Sequence, residues 1–191
     1  MRDDRPPSAE RRALLALLAR PPQEAAPALL GQVLVRRDGG RVLRARIVET
    51  EAYLARGDAA AHVFRGRTPR NAPLFGKPGT LYVYFVYGVH HCLNLACAPE
   101  GEPGCVLIRA AEPLAESGLA PRALSGPGRL CCALGLDASL SGRHLFEPGA
   151  PLTLRAGPAP ARQAVSRRVG LRRAAELPLR FYDPDSPAVS R

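Results

Sequence analysis

Gln32 to Tyr53 read QVLVRRDGGRVLRARIVETEAY. Apolar residues recur on both sides of Asp38-Gly39-Gly40, a turn signal between β-branched runs, so the stretch predicts two antiparallel strands joined by a hairpin. The pattern repeats downstream. Leu81 to Val86 is rich in β-branched and aromatic residues, and Val89 to Ala96 returns after Tyr87-Gly88 as the second arm of another hairpin. Cys105 to Arg109 predicts a further strand, followed by helix-compatible segments from Pro113 to Leu124 and from Gly128 to Leu136. A proline-rich stretch, Pro148 to Pro160, then leads to a late strand at Leu179 to Tyr182. Strands in hairpins with helices grouped around them make an α+β fold rather than an alternating βαβ one.

Upstream, Glu10 to Arg20 predicts a short helix opened by Ser8 and stopped by Pro21 and Pro22. Composition does not shift along the 191 residues, and a chain of that length buries a proper core. The expectation is a peripheral N-terminal segment over residues 1–24 and one domain over 25–191, acting as a monomer.

A formal charge of +10 and a pI near 10.2 point to a polyanionic partner, since basic side chains gain affinity by displacing counterions from phosphates. Nucleic acid is the first candidate. Of 27 basic residues only Lys77 is a lysine, so Schiff-base chemistry at a side chain would depend on that one amine. The five cysteines form no C-x-x-C pair and have no histidine at zinc-site spacing, so reduced, mostly buried thiols and no metal are expected. No apolar run approaches the roughly 20 residues of a membrane span, and no export signal is recognisable, which predicts a cytoplasmic protein without membrane contact.

In RIVETEAY, strand periodicity puts Ile47, Glu49, Glu51 and Tyr53 on one face and Val48, Thr50 and Ala52 on the other. Two carboxylates sharing a strand face read most simply as partners for the many arginines. The sharper reading is a general base, or an electrostatic stabiliser of an oxocarbenium-like transition state, in glycosidic hydrolysis. In LYVYFVY, Tyr82 and Tyr84 share a face suited to ordinary packing. Tyr87 falls at a hairpin tip, where an aromatic gains little from folding but can enter a base stack. His62 lies in an alanine-rich run where a hydrogen-bonded core histidine is the commoner outcome, and Asn94 and Arg109 are polar residues within strands that need partners. The glycines of SGPGRL, Ser125 to Leu130, expose main-chain N–H groups to a phosphate. The residues alone leave open a carbohydrate hydrolase using Glu49 and Glu51, a non-catalytic nucleic-acid-binding module, and a glycosylase-lyase using Lys77.

Taken together, RIVETEAY, DAAAH, TPRN, KPGTLYVYFVYGVHHCLN, CVLIRAAEP, SGPGRL and RFY resemble the alkyladenine (3-methyladenine) DNA glycosylase family in order and spacing, from about Leu29 to Tyr182. The tyrosine-rich block is the most specific part. The resemblance implies a single α+β domain with a curved antiparallel sheet and a projecting β-hairpin that enters the minor groove of double-stranded DNA. It implies a monofunctional enzyme without metal or cofactor, cutting alkylated or deaminated purines from DNA with water. Carried over by motif, Glu51 activates the water, with Arg109 and the main-chain carbonyl of Val169 positioning it. Tyr53 and His62 hold one side of the flipped purine, Tyr84 stacks on the other, and Asn94 obstructs the 2-amino group of guanine. Tyr87 is the intercalating plug, and Arg70, Gly126 and Arg129 are the candidate backbone contacts.

Overall fold

The computed structural model describes residues 6–86 and 88–190. Both predicted hairpins form. β1 (Val33–Asp38) pairs with β2 (Arg41–Tyr53) across the Asp38-Gly39-Gly40-Arg41 turn, and β3 (Leu81–Val86) pairs with β4 (His90–Ala96). β5 (Cys105–Pro113) lies between β4 and β2. Three further strands, β6 (Leu152–Arg155), β7 (Ala164–Ser166) and β8 (Arg180–Tyr182), complete a curled antiparallel sheet of order β3-β4-β5-β2-β1-β6, with β8 joining β2 and β7 joining β8. The fold is a single α+β domain, as the hairpin pattern predicts.

The position of β2 matters most for the chemistry of the molecule. One edge pairs with β5, while the other pairs first with β1 and then, from Glu49 to Glu51, with β8. The two glutamates therefore sit on a strand hydrogen-bonded on both sides.

Simple alternation along β2 fails at one point. The register against β5 shifts between Ile47 and Glu49 and again between Glu49 and Thr50. Ile47 consequently faces the main core with Leu43 and Ala45, whereas Val48 packs with Ala110 and Ala188 near the C-terminus. Beyond the bulge, Ala52 faces the core and Thr50 Oγ1 donates to the Ala26 carbonyl at 2.9 Å. The expectation that Ile47 shares a face with Glu49, Glu51 and Tyr53 is thus corrected, because one extra residue in a strand exchanges its faces.

Among the described residues three α-helices cover the sheet: α1 (Ser8–Leu18), α2 (Pro22–Ala28) and α3 (Pro127–Ala133). α1 places Leu14 and Leu18 in the core, so it packs into the body of the molecule. α2, absent from the sequence reading, begins where Pro22 takes a first-turn position that needs no N–H, and it buries Ala25 and Ala26. Pro113 to Leu124 does not form a helix. Only a 3₁₀ turn at Ala115–Ser117 appears, and Gly118 ends it in a left-handed conformation at φ 63°. β6 was hidden in the proline-rich stretch because prolines flank it, and it pairs with β1 at the end of the sheet order.

The β3–β4 hairpin rests on the start of α3. A Cβ added at Gly128 would lie 2.8 Å from the His90 ring, so only glycine admits this approach. No helix among the described residues is long and apolar enough to cross a membrane.

Candidate active site

Glu49 and Glu51 are both fully buried, a costly place for two like charges unless each is paired. Arg109, opposite them on β5, provides the shared cation. Its Nε donates to Glu49 Oε1 at 2.9 Å and its Nη1 lies 3.4 Å from Glu51 Oε1. The two carboxylates then part company. Glu49 also accepts from Arg180 Nε at 2.7 Å, Ser190 N at 2.7 Å and Ser190 Oγ at 2.9 Å. With its oxygens engaged by these donors, Glu49 is a strut between β2, β5, β8 and the C-terminal residues.

Glu51 is held more sparingly. Oε1 accepts the Val169 main-chain N–H at 2.8 Å, and Oε2 accepts the Tyr53 hydroxyl at 2.9 Å. Among the described residues this carboxylate has the two hydrogen bonds and the Arg109 contact, against four hydrogen bonds to Glu49. The expectation for Val169 concerned its carbonyl; what the structure brings to the carboxylate is its N–H. Burial, followed by the Glu51 charge, pushes the Tyr53 phenol far above its ordinary range. Tyr53 therefore acts as a hydrogen-bond donor and not as a base.

Tyr53 joins the carboxylate to a group of aromatic residues, packing with Tyr84 against the small cluster that holds Tyr82. Tyr82 and Tyr84, on one face of β3, stack with centroids 5.2 Å apart. His62 packs edge-on to Tyr84 at 4.5 Å, and its Nδ1 pairs with the Tyr82 hydroxyl at 3.0 Å. His62 keeps an exposed surface, and partial cover by the tyrosines followed by the Arg70 charge lowers its pKa from the ordinary value. Because the His62 and Tyr84 rings are in direct contact, a planar base can enter between them only when they part. Asn94 is buried, donating through Nδ2 to the Tyr82 carbonyl at 3.2 Å while its Oδ1 lies 3.7 Å from the Cys105 thiol. The site thus brings together Glu51, Tyr53, His62, Tyr84, Arg109 and Val169, with Asn94 beside Tyr82.

The remaining candidates lie toward the surface. Arg70 is exposed, donates to the Phe85 carbonyl at 3.1 Å and sits 5.7 Å from the Tyr84 ring centroid. Gly126, at φ 118°, precedes α3, on which Arg129 is exposed. Tyr87 lies outside the described residues. Its neighbours Phe85 and Val89 leave apolar surface exposed at the hairpin, at 48% and 67%. Lys77 is exposed in the turn before β3, where its carbonyl accepts from Thr80.

Sequence reasoning missed Asp58, Arg168, Arg180 and Ser190. Arg168 and Asp58 form an ion pair with no side-chain exposure, at 2.6 and 2.8 Å through both carboxylate oxygens. Asp58 opens the DAAAH motif and Arg168 is the neighbour of Val169, but nothing local announces a pair 110 residues apart.

The family model for methylpurine-DNA glycosylase matches residues 16–187. A protein of Synechococcus elongatus, named as a 3-methyladenine DNA glycosylase, is 49% identical over 177 residues, covering 92% of this chain and 89% of its own. Proteins of the same name from Chlorobium luteolum and Methanocella arvoryzae are 47% and 44% identical, covering 85% and 90% of this chain and 88% and 92% of their own. The chain belongs to the methylpurine-DNA glycosylase family, enzymes that hydrolyse N-glycosyl bonds.

Proposed function

We propose that this chain is a monofunctional, monomeric DNA glycosylase that extrudes alkylated or deaminated purines from duplex DNA and hydrolyses their N-glycosidic bond with water activated by Glu51. The observation that carries this reading is the Glu51 carboxylate, buried and held by Arg109, Tyr53 and Val169 with fewer donors than Glu49, and joined through Tyr53 to the cluster of Tyr82, Tyr84 and His62.

The chemistry follows from that placement. As the glycosidic bond lengthens, its electron pair leaves with the purine and positive charge builds on the sugar. A fixed carboxylate stabilises that charge in a dry site and accepts the proton of the water that attacks the sugar carbon. Alkylation makes the purine electron-poor, so it is a good leaving group and stacks well on tyrosine faces. Tyr53 and His62 take one side of the base and Tyr84 the other, after the His62–Tyr84 contact opens. Asn94 limits access for the 2-amino group of guanine. Tyr87, at a hairpin that exposes Phe85 and Val89, fills the gap in the duplex, while Arg70, Gly126 and Arg129 contact the backbone.

Glu49 is engaged by Arg109, Arg180 and Ser190, which disfavours the two-carboxylate sugar hydrolase. Base release from duplexes carrying hypoxanthine, ethenoadenine or methyladenine tests the proposal. Free base without strand cleavage, and no borohydride-trapped adduct, is the expected result. Cleavage of oligosaccharides with no release from any lesion duplex would refute it.

A further inference from the structure

We propose that Arg168 is a positioning residue for the reaction, a single guanidinium that sets Glu51, Tyr53 and the His62 loop relative to one another. The inference rests on the glycosylase reading and adds to it a residue with no assigned role.

Arg168 touches each part of the site from behind. Its Nη1 donates at 2.9 Å to the carbonyl of Ala52, the residue between Glu51 and Tyr53. Its guanidinium carbon lies 4.6 Å from the Tyr53 ring centroid, over the ring face. Nη1 and Nη2 grip the two Asp58 oxygens, and Asp58 in turn accepts from the main-chain N–H groups of Leu54 and Ala60, fixing the turn that leads to His62. Nη2 also reaches the Ala174 carbonyl at 3.2 Å, closing the loop that Arg168 itself begins. The next residue in the chain, Val169, gives its N–H to Glu51 Oε1. A shift of Arg168 therefore moves the strand carrying the carboxylate and the amide that orients it.

The shape of the guanidinium is what this position uses. Its nitrogens hold both Asp58 oxygens and two carbonyls while the guanidinium covers the Tyr53 ring, and among the described residues the buried Nε has no hydrogen-bond partner. An ammonium cannot bridge two carboxylate oxygens, a carbonyl and a ring together, since it is a point charge rather than a planar fork.

The test uses the full chain with Arg168→Lys, Arg168→Met and Asp58→Asn, measuring single-turnover base release and affinity for the same lesion duplex. Misplacing reacting groups by a fraction of an ångström costs rate more than binding. The expected result is a fall in excision rate on the order of 10- to 100-fold, with lesion affinity within about threefold of the parent's. If Arg168→Met does not fold, Arg168→Lys and Asp58→Asn carry the comparison. Folded variants that excise at the parent's rate, or that lose rate and affinity in equal proportion, overturn the positioning role. A parent that excises no lesion overturns the glycosylase reading itself, an outcome separate from these.

Discussion

At the scale of single residues, the site is decided by how many donors each buried carboxylate has. Glu49 and Glu51 are two positions apart on one strand and equally buried, and periodicity alone cannot rank them. Their partners can, because Arg180 and Ser190 occupy Glu49 whereas Glu51 Oε2 is held by the Tyr53 hydroxyl. Removing that hydroxyl leaves the carboxylate short of one donor at a fully buried position, a deficit of about 1–3 kcal/mol. Tyr53→Phe is therefore expected to fold and to lower the excision rate about tenfold or more, as single-turnover kinetics on a lesion duplex would show. An unchanged rate would mean that the hydroxyl does not hold the reactive geometry. Sequence motifs located Glu51, Tyr53, His62, Tyr84, Asn94 and Arg109, which all lie in blocks with local signatures. They gave no role to Arg180, although it opens RFY, or to Ser190, since those roles exist only after β8 and the C-terminal residues close against β2.

At the scale of elements, the hairpins were legible because turn chemistry and alternation agree over Val33–Asp38, Arg41–Tyr53, Leu81–Val86 and His90–Ala96. The bulge at Val48 was not, since its cause lies in the β5 register and not in β2's own pattern. α2 and β6 escaped because prolines within or beside them mask short elements that packing stabilises. The loop from Leu54 to His62 depends on Asp58, and that dependence has a pH signature. Burial alone would raise the Asp58 carboxyl, but hydrogen bonds from Arg168, Leu54 and Ala60 and the Arg168 charge hold it below its ordinary 3.8. A folded value lower than the unfolded one contributes stability that is fully present above 3.8 and is lost as pH falls through the folded value. The Asp58 contribution to the urea midpoint, read as the difference between parent and Asp58→Asn, is thus expected to be constant from neutral pH to about 5 and to fall below about 4. Asp58→Asn should start from a lower midpoint and lose less of it in acid. An acid response identical to the parent's would show that this pair is not a source of the loss.

At the scale of the whole molecule, a charge of +10 surrounds an interior in which arginines and carboxylates pair closely. The buried cluster matches Glu49, Glu51 and Asp58 against Arg109, Arg180 and Arg168, so the excess positive charge belongs to the surface. Affinity for DNA should then fall steeply with salt. A plot of log K against log salt is expected to slope at roughly −0.9 per phosphate neutralised, for undamaged and lesion duplexes alike, and a salt-independent affinity would contradict a phosphate-tracking surface. The central claim is narrower and concerns Glu51. Glu51→Gln keeps the size of the side chain and loses the charge that accepts a proton from water. Single-turnover release of hypoxanthine or methyladenine by this variant should drop by at least about a thousandfold, while lesion-duplex binding persists. Release at the parent's rate would contradict the assignment of Glu51 as the water-activating residue.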